Sequence, residues 1–311
     1  MKILPVPLIR EADAYTIRHE PIADIDLMER AAGACFNWLK NNISPDQRIK
    51  VFCGTGNNGG DGLAIARMML GAGFNVEVFT LSPPENMSEC CRINFERMRD
   101  TGCGIKDASG NDLPLISSGD VVIDAIFGNG LTRPAGGAAA AVIHHINSSG
   151  AIVVAIDVPS GLFCDASTQA IPAHLVVHAD YSLTFAPPKL AFFFPENDQF
   201  VGNWQLLDIG LSHEFITSAN VQNYMLGESD AAAILRKRSK FAHKGTFGHA
   251  LIIAGSAGKM GAAVLSAMAC LRSGPGLATI HVPKSGVSIL QSAFPEAMLS
   301  IDPNEDQFRV Q

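Results

Sequence analysis

The sequence predicts an α/β protein: a mostly parallel sheet between two layers of helices, a three-layer αβα sandwich. Three observations carry that expectation. Short runs rich in Val, Ile and Phe recur at residues 49–53, 76–81, 121–127 and 152–156. They are largely apolar rather than strictly alternating, as expected of strands covered on both faces. Helical stretches at 63–72, 88–101 and 138–148 separate them, and strand–helix–strand alternation is the grammar of parallel pairing. With 47% hydrophobic and 17% charged residues in 311, the chain can fill a sizeable core and does not have the composition of a disordered one.

The elements follow in order. Two helices, 11–20 and 27–41, precede the first strand. Runs at 181–185 and 205–209 read as the last strands of a first domain spanning 1–214. The polar, non-periodic stretch from 211 to 228 reads as a linker, with the break placed at 215–228. A second unit, 229–311, opens with a helix at 229–236 that runs into the basic patch Arg236-Lys237-Arg238-Ser239-Lys240. A strand at 250–254, a glycine turn at 255–261, a helix at 262–272 and a strand at 277–282 complete it. So few elements bury too little surface for independent stability, and the unit is expected to be the beginning of a longer domain.

Composition excludes several function classes. A formal net charge of −7 argues against general nucleic-acid binding, which needs a basic face. A local glycine-rich nest can still hold phosphate inside an acidic protein. The seven cysteines, at 35, 53, 90, 91, 103, 164 and 270, form no C-x-x-C pair and read as thiols in a reducing compartment. The N-terminal Met1–Pro7 stretch is broken by prolines and closed by Arg10-Glu11, a poor signal peptide. No run approaches the ~18 apolar residues of a membrane span. A cytoplasmic protein with no membrane partner is expected.

The chemistry concentrates at strand ends. Cys53-Gly54-Thr55-Gly56-Asn57-Asn58-Gly59-Gly60-Asp61-Gly62 follows the first strand and reads as a turn opening a helix near Leu63. Glycines let backbone N–H groups approach a ligand, and a helix N-terminus favours an anion. Gly54, Gly56 and Gly59 satisfy the G-x-G-x-x-G pattern of a Rossmann-like dinucleotide site, with Glu77 where a ribose-binding acid falls. An NAD(P)-dependent oxidoreductase is therefore one reading. Against it, Asn57-Asn58 and Gly60-Asp61-Gly62 put an amide pair and an acid where a dehydrogenase packs small apolar groups. Three further segments fall at strand ends: Asp124-Ala125-Ile126-Phe127-Gly128-Asn129-Gly130-Leu131-Thr132-Arg133-Pro134, Asp157-Val158-Pro159-Ser160-Gly161-Leu162, and Thr184-Phe185-Ala186-Pro187-Pro188-Lys189. Ligands of open α/β sheets bind there.

These motifs, with Leu27-Met28-Glu29-Arg30-Ala31, resemble those of the NAD(P)H-hydrate epimerase family over residues 1–210. The second unit is similar to the start of the ADP-dependent NAD(P)H-hydrate dehydratase domain of bifunctional bacterial enzymes, a ribokinase-like fold. That similarity rests on His243–His249, Gly261-Ala262-Ala263, Leu271-Arg272-Ser273-Gly274 and Gly276-Leu277. The resemblance implies an isomerase acting on NADH or NADPH whose nicotinamide ring has been hydrated. It implies a potassium ion held by Asn58, Asp124 and Ser160, of the kind that amide, carboxylate and hydroxyl oxygens bind. It implies a substrate cradle of Asn57, Asn58, Gly59, Gly60 and Asp61 with Gly128, Asn129, Gly130, Leu131, Thr132, Arg133 and Pro134. Within that cradle Arg133 contacts phosphate. Asp157 is the expected substrate-contacting general acid/base, and Lys189 its partner in orientation or proton transfer. Ala262 is expected near the hydrated nicotinamide in the dehydratase half. A homodimer through the N-terminal helices is implied as well. The dehydratase (lyase) half of such a multifunctional enzyme uses ADP or ATP with magnesium and a catalytic Asp in a late Gly-Thr-Gly-Asp run. No such run occurs here, so no dehydratase activity is expected from this chain. Thr55, Asn129 and Cys164 depart from the family's commonest residues. A noncatalytic nucleotide-binding or interaction module on the same fold is the remaining alternative.

Other features have blander readings. His174 and His178 flank Leu175-Val176-Val177, whose apolar run favours a strand over a helical metal pair. His144-His145 reads as a solvated helix end. The basic patch at 236–240 reads as a helix C-terminus complementing the macrodipole. Ala191-Phe192-Phe193-Phe194-Pro195 reads as core or interface packing.

Overall fold

A seven-stranded, wholly parallel sheet organises the first 227 residues. The computed structural model describes residues 1–110, 112–167, 171–235 and 237–308. In it the chain forms two units, Met1–Gly227 and a second beginning at Glu228. Strand β1 (Lys2–Ile3) and helices α1 (Val6–His19) and α2 (Asp24–Asn42) lead to β2 (Arg48–Cys53), α3 (Asn57–Gly71), β3 (Asn75–Thr80), α4 (Glu89–Arg99) and β4 (Ile105–Asp107). Then come β5 (Val121–Ala125), α5 (Gly137–Asn147), β6 (Ile152–Ile156), β7 (Tyr181–Phe185), α6 (Asp198–Val201), β8 (Asn203–Leu207), α7 (His213–Ser218) and β9 (Asn223–Tyr224).

The strand order is β4-β3-β2-β5-β6-β7-β8. From β2 the chain runs outward to β3 and β4, then returns to lay β5 on the other side of β2. That reversal is the topological switch point at which open α/β sheets leave a crevice. Alternate residues of β2 feed opposite layers, as strand geometry requires. Ile49, Val51 and Cys53 pack with Ala32, Cys35 and Leu39 of α2 and with α3 and α4, whereas Phe52 packs with Phe79 and with Val142, Ile143 and Ile146 of α5.

The expected strands at 49–53, 76–81, 121–127, 152–156, 181–185 and 205–209 correspond to β2, β3, β5, β6, β7 and β8. Strand β4 went unread because its three residues, Ile-Lys-Asp, lie on the sheet edge with two of them exposed. The stretch 211–228, expected as a linker, instead carries α7 and β9, and β9 pairs antiparallel with β1 through Lys2 opposite Tyr224. The run 175–177 forms no strand; a 3-10 turn, Ala173–Leu175, takes its place. Phe192 is buried against Trp204 while Phe193 keeps 39% exposure.

Glu77 is not at a strand end. It lies mid-strand, its Oε1 accepting from Lys50 Nζ at 2.7 Å and its Oε2 from Lys106 Nζ at 2.5 Å. Those hydrogen bonds, Lys106 foremost and then Lys50, hold its carboxyl down to about 2, so the ribose-binding role expected of it is replaced by a structural one. Glu77→Gln should cost about 1–3 kcal/mol, because the Lys50 ammonium stays buried without its counter-ion. The native contribution is present above the unfolded carboxyl's 4.5 and lost as pH falls through about 2. Chemical denaturation of both forms at pH 7 and pH 2 reads the difference, which should vanish at the lower pH.

The second unit comprises α8 (Glu228–Ile234), β10 (His249–Ile253), α9 (Met260–Ser273), β11 (Leu277–Pro283), α10 (Val287–Ala293) and β12 (Met298–Asp302). Its strands form a parallel sheet in the order β10-β11-β12. Met260, Ala263 and Ala267 of α9 and Leu290 of α10 pack on Ala278, Ile280 and Val282. The opposite face of β10 leaves Leu251 and Ile253 exposed. The expected helix at 229–236 ends at Ile234, and Arg236 of the basic patch lies outside the described residues.

Candidate functional site

The glycines after β2 act differently from their expected part in an open turn. None of Gly54, Gly56, Gly59, Gly60 and Gly62 has a left-handed backbone, and α3 already begins at Asn57. The requirement is space. A Cβ on Gly54 would lie 1.9 Å from the Ile126 carbonyl oxygen, and one on Gly59 would lie 2.0 Å from the Gly54 carbonyl oxygen. On Gly62 it would meet the Ala125 Cβ at 2.5 Å. The run therefore lets the first turns of a helix sit directly on β2 and β5, with the Gly54 N–H donating to Ala125 O at 3.0 Å. The N-terminus of α3 carries no side-chain cap, leaving N–H groups and the positive dipole end available to an anion.

That helix end opens into a cleft of about 820 Å³, within the range of small-molecule and cofactor sites. The expected residues Asn57, Asn58, Asp61, Gly128, Asn129, Gly130, Leu131, Asp157 and Lys189 all line it. Gly59 and Gly60 are buried behind it, Gly60 with Met28 Sδ only 2.7 Å from where a Cβ would stand. Thr132, Arg133 and Pro134 are exposed and do not line the cleft, and Ala262 is an exposed residue of α9 in the second unit. The cation on the Gly128–Leu131 loop is Arg10 instead: its Nη2 lies 2.9 Å from where a Gly130 Cβ would stand. Arg10 and Asp13 both lie on α1; Arg10 fell before the helix start expected at residue 11, and Asp13, inside that helix, reads as one charge on a solvated face. Asp13 follows buried Ile9 by four residues, and that inward-facing spacing was the available signal.

Asp157 follows β6 with φ 64°. The Val158 N–H donates to Ile156 O at 2.8 Å, closing a tight turn around a non-glycine residue in a strained conformation. Its Oδ1 is ion-paired with Lys189 Nζ at 2.5 Å, both side chains nearly sealed from solvent. Lys189 also donates to the Phe185 carbonyl oxygen at 2.7 Å. Asp61, buried, has its carboxyl pushed well up by desolvation and then by the charges of Asp157, Asp13 and Glu29.

Behind the cleft lies a second polar cluster. Asp124, fully buried, accepts at Oδ2 from the Ser160 N–H (2.8 Å) and at Oδ1 from Ser160 Oγ (2.6 Å). The Phe127 N–H donates to the same Ser160 Oγ at 2.8 Å. Burial pushes Asp124 up to about 6 against the opposing pull of these hydrogen bonds. Among the described residues no cation pairs with it. Asn58 packs on Gly128, and its buried amide nitrogen lacks a hydrogen-bond partner. An amide flip would present an oxygen there instead. No cluster of three or more His, Cys, Asp and Glu suited to a metal occurs among the described residues, so His174 and His178 form no such group.

Helix N-terminus, switch-point crevice and buried acid–lysine pair together define an α/β protein with a cleft at the carboxyl ends of its parallel strands. Comparisons with known proteins agree in fold and go further. A family model for the YjeF-related protein N-terminus matches residues 24–191, and one for NAD(P)H-hydrate dehydratase matches 250–311. An NAD(P)H-hydrate epimerase of Levilactobacillus brevis is 37% identical over 215 residues, covering 68% of this chain and 94% of that one. A bifunctional NAD(P)H-hydrate repair enzyme of Moorella thermoacetica is 35% identical over 286 residues, covering 89% of this chain and 53% of that one. The chain spans about half the length of the curated bifunctional relatives it matches. A yeast protein of known crystal structure shares the fold, with a TM-score of 0.59 at 19% identity over 74% of this chain and 98% of that one. The chain belongs to the YjeF N-terminal family, that of the NAD(P)H-hydrate epimerases.

Proposed function

We propose that this chain interconverts the R and S forms of hydrated NADH and NADPH. The observation that carries the proposal is the Asp157–Lys189 ion pair facing the cleft that the α3 N-terminus opens into. The names of the relatives support the same reading. The uncapped helix end and Arg10 suit the diphosphate. The carboxylate of Asp157 suits the hydroxyl-bearing carbon beside the ring nitrogen, where C–O cleavage or ring opening needs proton transfer. Lys189 holds that carboxylate in place and balances its charge.

A potassium ion fits Asn58, Asp124 and Ser160. The buried carboxylate without a protein cation and the orphaned amide are what a weakly held monovalent cation satisfies. When bound it would neutralise Asp124 and fix the loops that frame the cleft. The sign of its effect on stability follows from Asp124. A carboxyl raised from 3.8 to about 6 on folding favours the folded state below 3.8, and that contribution is lost as pH rises through about 6. A cation beside Asp124 removes the loss. Melting curves in potassium and in a large organic cation should therefore diverge as pH rises from 4 to 7, by roughly 3–8 °C. Identical curves would leave no role for the ion.

Residues 250–311 are where the likeness to the dehydratase half falls, and we assign ADP- or ATP-dependent chemistry with magnesium to a complete domain of that kind. We further place the epimerase in the cytoplasm as a homodimer joined through α1 and α2, readings that rest on the family resemblance. Among the described residues no helix is long and apolar enough to cross a membrane. The deciding assay follows the ratio of the two epimers of hydrated NADH and hydrated NADPH. An epimerase equilibrates them without change at the reduced-nicotinamide band; an oxidoreductase changes that absorbance, and a binding module leaves the ratio untouched.

A further inference from the structure

We propose that Asp13, on α1, is a second proton-transfer group of the epimerisation, acting from the helical wall of the cleft while Asp157 acts from the strand edge. This rests on the epimerase reading. The two epimers differ only in which face of the ring carries the hydroxyl. A single carboxylate fixed by Lys189 addresses one face, so inversion calls for a proton donor or acceptor on the other.

Asp13 is placed for it. It lines the same cleft from a different element, and among the described residues its carboxyl makes no hydrogen bond or ion pair. Asp157 and Lys189 are both near enough to act on it electrostatically, the first raising and the second lowering its proton affinity. The other ionisable groups lining this space are Arg10 and Arg18 on α1, Asp24 on α2, Asp61 on α3 and Cys90 on α4. Burial, then Asp157, pushes Asp13 up to about 6, with Asp24 adding to the rise and Lys189 opposing it. A carboxyl group that exchanges its proton near neutral pH is suited to general acid catalysis. Asp157, by contrast, carries a counter-ion, and two acids in unlike environments are the arrangement that divides acid and base roles. Asp61 is a poorer candidate: it lies on α3 one turn from the helix end assigned to phosphate.

In one direction the Asp13 carboxyl gives its proton to the substrate hydroxyl. The C–O bond breaks, its electron pair leaving with water, and the ring-nitrogen lone pair forms a C=N bond. Water then adds to the opposite face: its lone pair forms the new C–O bond, the C=N pair returns to nitrogen, and the Asp157 carboxylate takes the surplus proton. Atoms and charge balance, and the reverse reaction runs the same steps with the two acids exchanged. Solvent returns the proton from Asp157 to Asp13 between like turnovers.

The test uses the 311-residue chain with hydrated NADH, comparing the native protein, Asp13→Asn and Asp13→Glu. Asp13→Asn should lower kcat about 100-fold with KM within about threefold, and Asp13→Glu should recover part of the rate. In the native protein kcat/KM should fall as pH rises through about 6, the limb assigned to Asp13. It should be missing in Asp13→Asn and displaced in Asp13→Glu. Native-like kcat in a folded Asp13→Asn variant overturns the proposal. If that variant does not fold, an undisplaced limb in Asp13→Glu overturns it. Either result leaves the epimerase assignment intact, whereas absence of turnover in the native protein removes the assignment itself.

Discussion

Asp157→Asn should lower epimerisation turnover by about 10²–10⁴-fold, the usual reach of a positioned acid or base, with KM nearly unchanged. Asparagine keeps the size and the planar head of the side chain, so the cleft keeps its shape. It cannot accept a proton from the substrate hydroxyl or return one. It also leaves Lys189, 2% exposed, without the carboxylate 2.5 Å away. A melting curve must therefore accompany the kinetics, because an uncompensated buried ammonium destabilises the fold by itself. The decisive pattern is a lost kcat in a protein that still melts cooperatively and still binds nucleotide. Full turnover in Asp157→Asn would remove Asp157 from the chemistry and with it the proposed mechanism.

Gly59→Ala should be among the most damaging single methyls in the first unit. Its Cβ would stand 2.0 Å from a backbone carbonyl oxygen, that of Gly54, which cannot swing aside as a side chain can. Gly54 is itself held to the sheet by the bond to Ala125. Helix α3 would have to lift off β2 and β5, at a cost of at least about 3 kcal/mol, the upper end for overpacking, and nucleotide binding should go with it. Gly71→Ala supplies the contrast. It ends the same helix with nothing within 4 Å of the added carbon, and should be neutral or gain roughly 0.5 kcal/mol through helix propensity. Denaturant unfolding of the two variants separates the steric account from a general dislike of side chains in this run. Equal, small effects would sink it.

Much of this was legible in the sequence because burial on both faces writes itself as largely apolar runs, unbroken in β6 and interrupted by one charge within β2 (Lys50) and β5 (Asp124). The start of α3 was not. Six residues including three glycines read as a turn by propensity, whereas close packing against Ala125 and Gly54 imposes a helix there. Glu77 shows the reverse error: its sequence distance from the glycines suited a ribose acid, yet cross-strand pairing to Lys50 and Lys106 fixes it in mid-strand. At the site, Asp157 and Lys189 were readable because both follow strands, where ligands gather. Arg10 and Asp13 were not, since one base and one acid on an amphipathic helix look like any solvated face until the packing of α1 turns them inward.

The bond from Gly54 to Ala125, and the contact of Gly54 with Ile126, tie the chain after β2 to the chain after β5. One of these segments leads to Asn58 and the α3 N-terminus, the other from Asp124 to Gly128. The proposed seats for a cation and for a diphosphate thus lie on two segments tied to each other. Thermodynamic reciprocity then applies: whatever factor the ion contributes to nucleotide affinity, the nucleotide contributes to ion affinity. If the proposed ion strengthens substrate binding, the substrate at low potassium would recruit that ion.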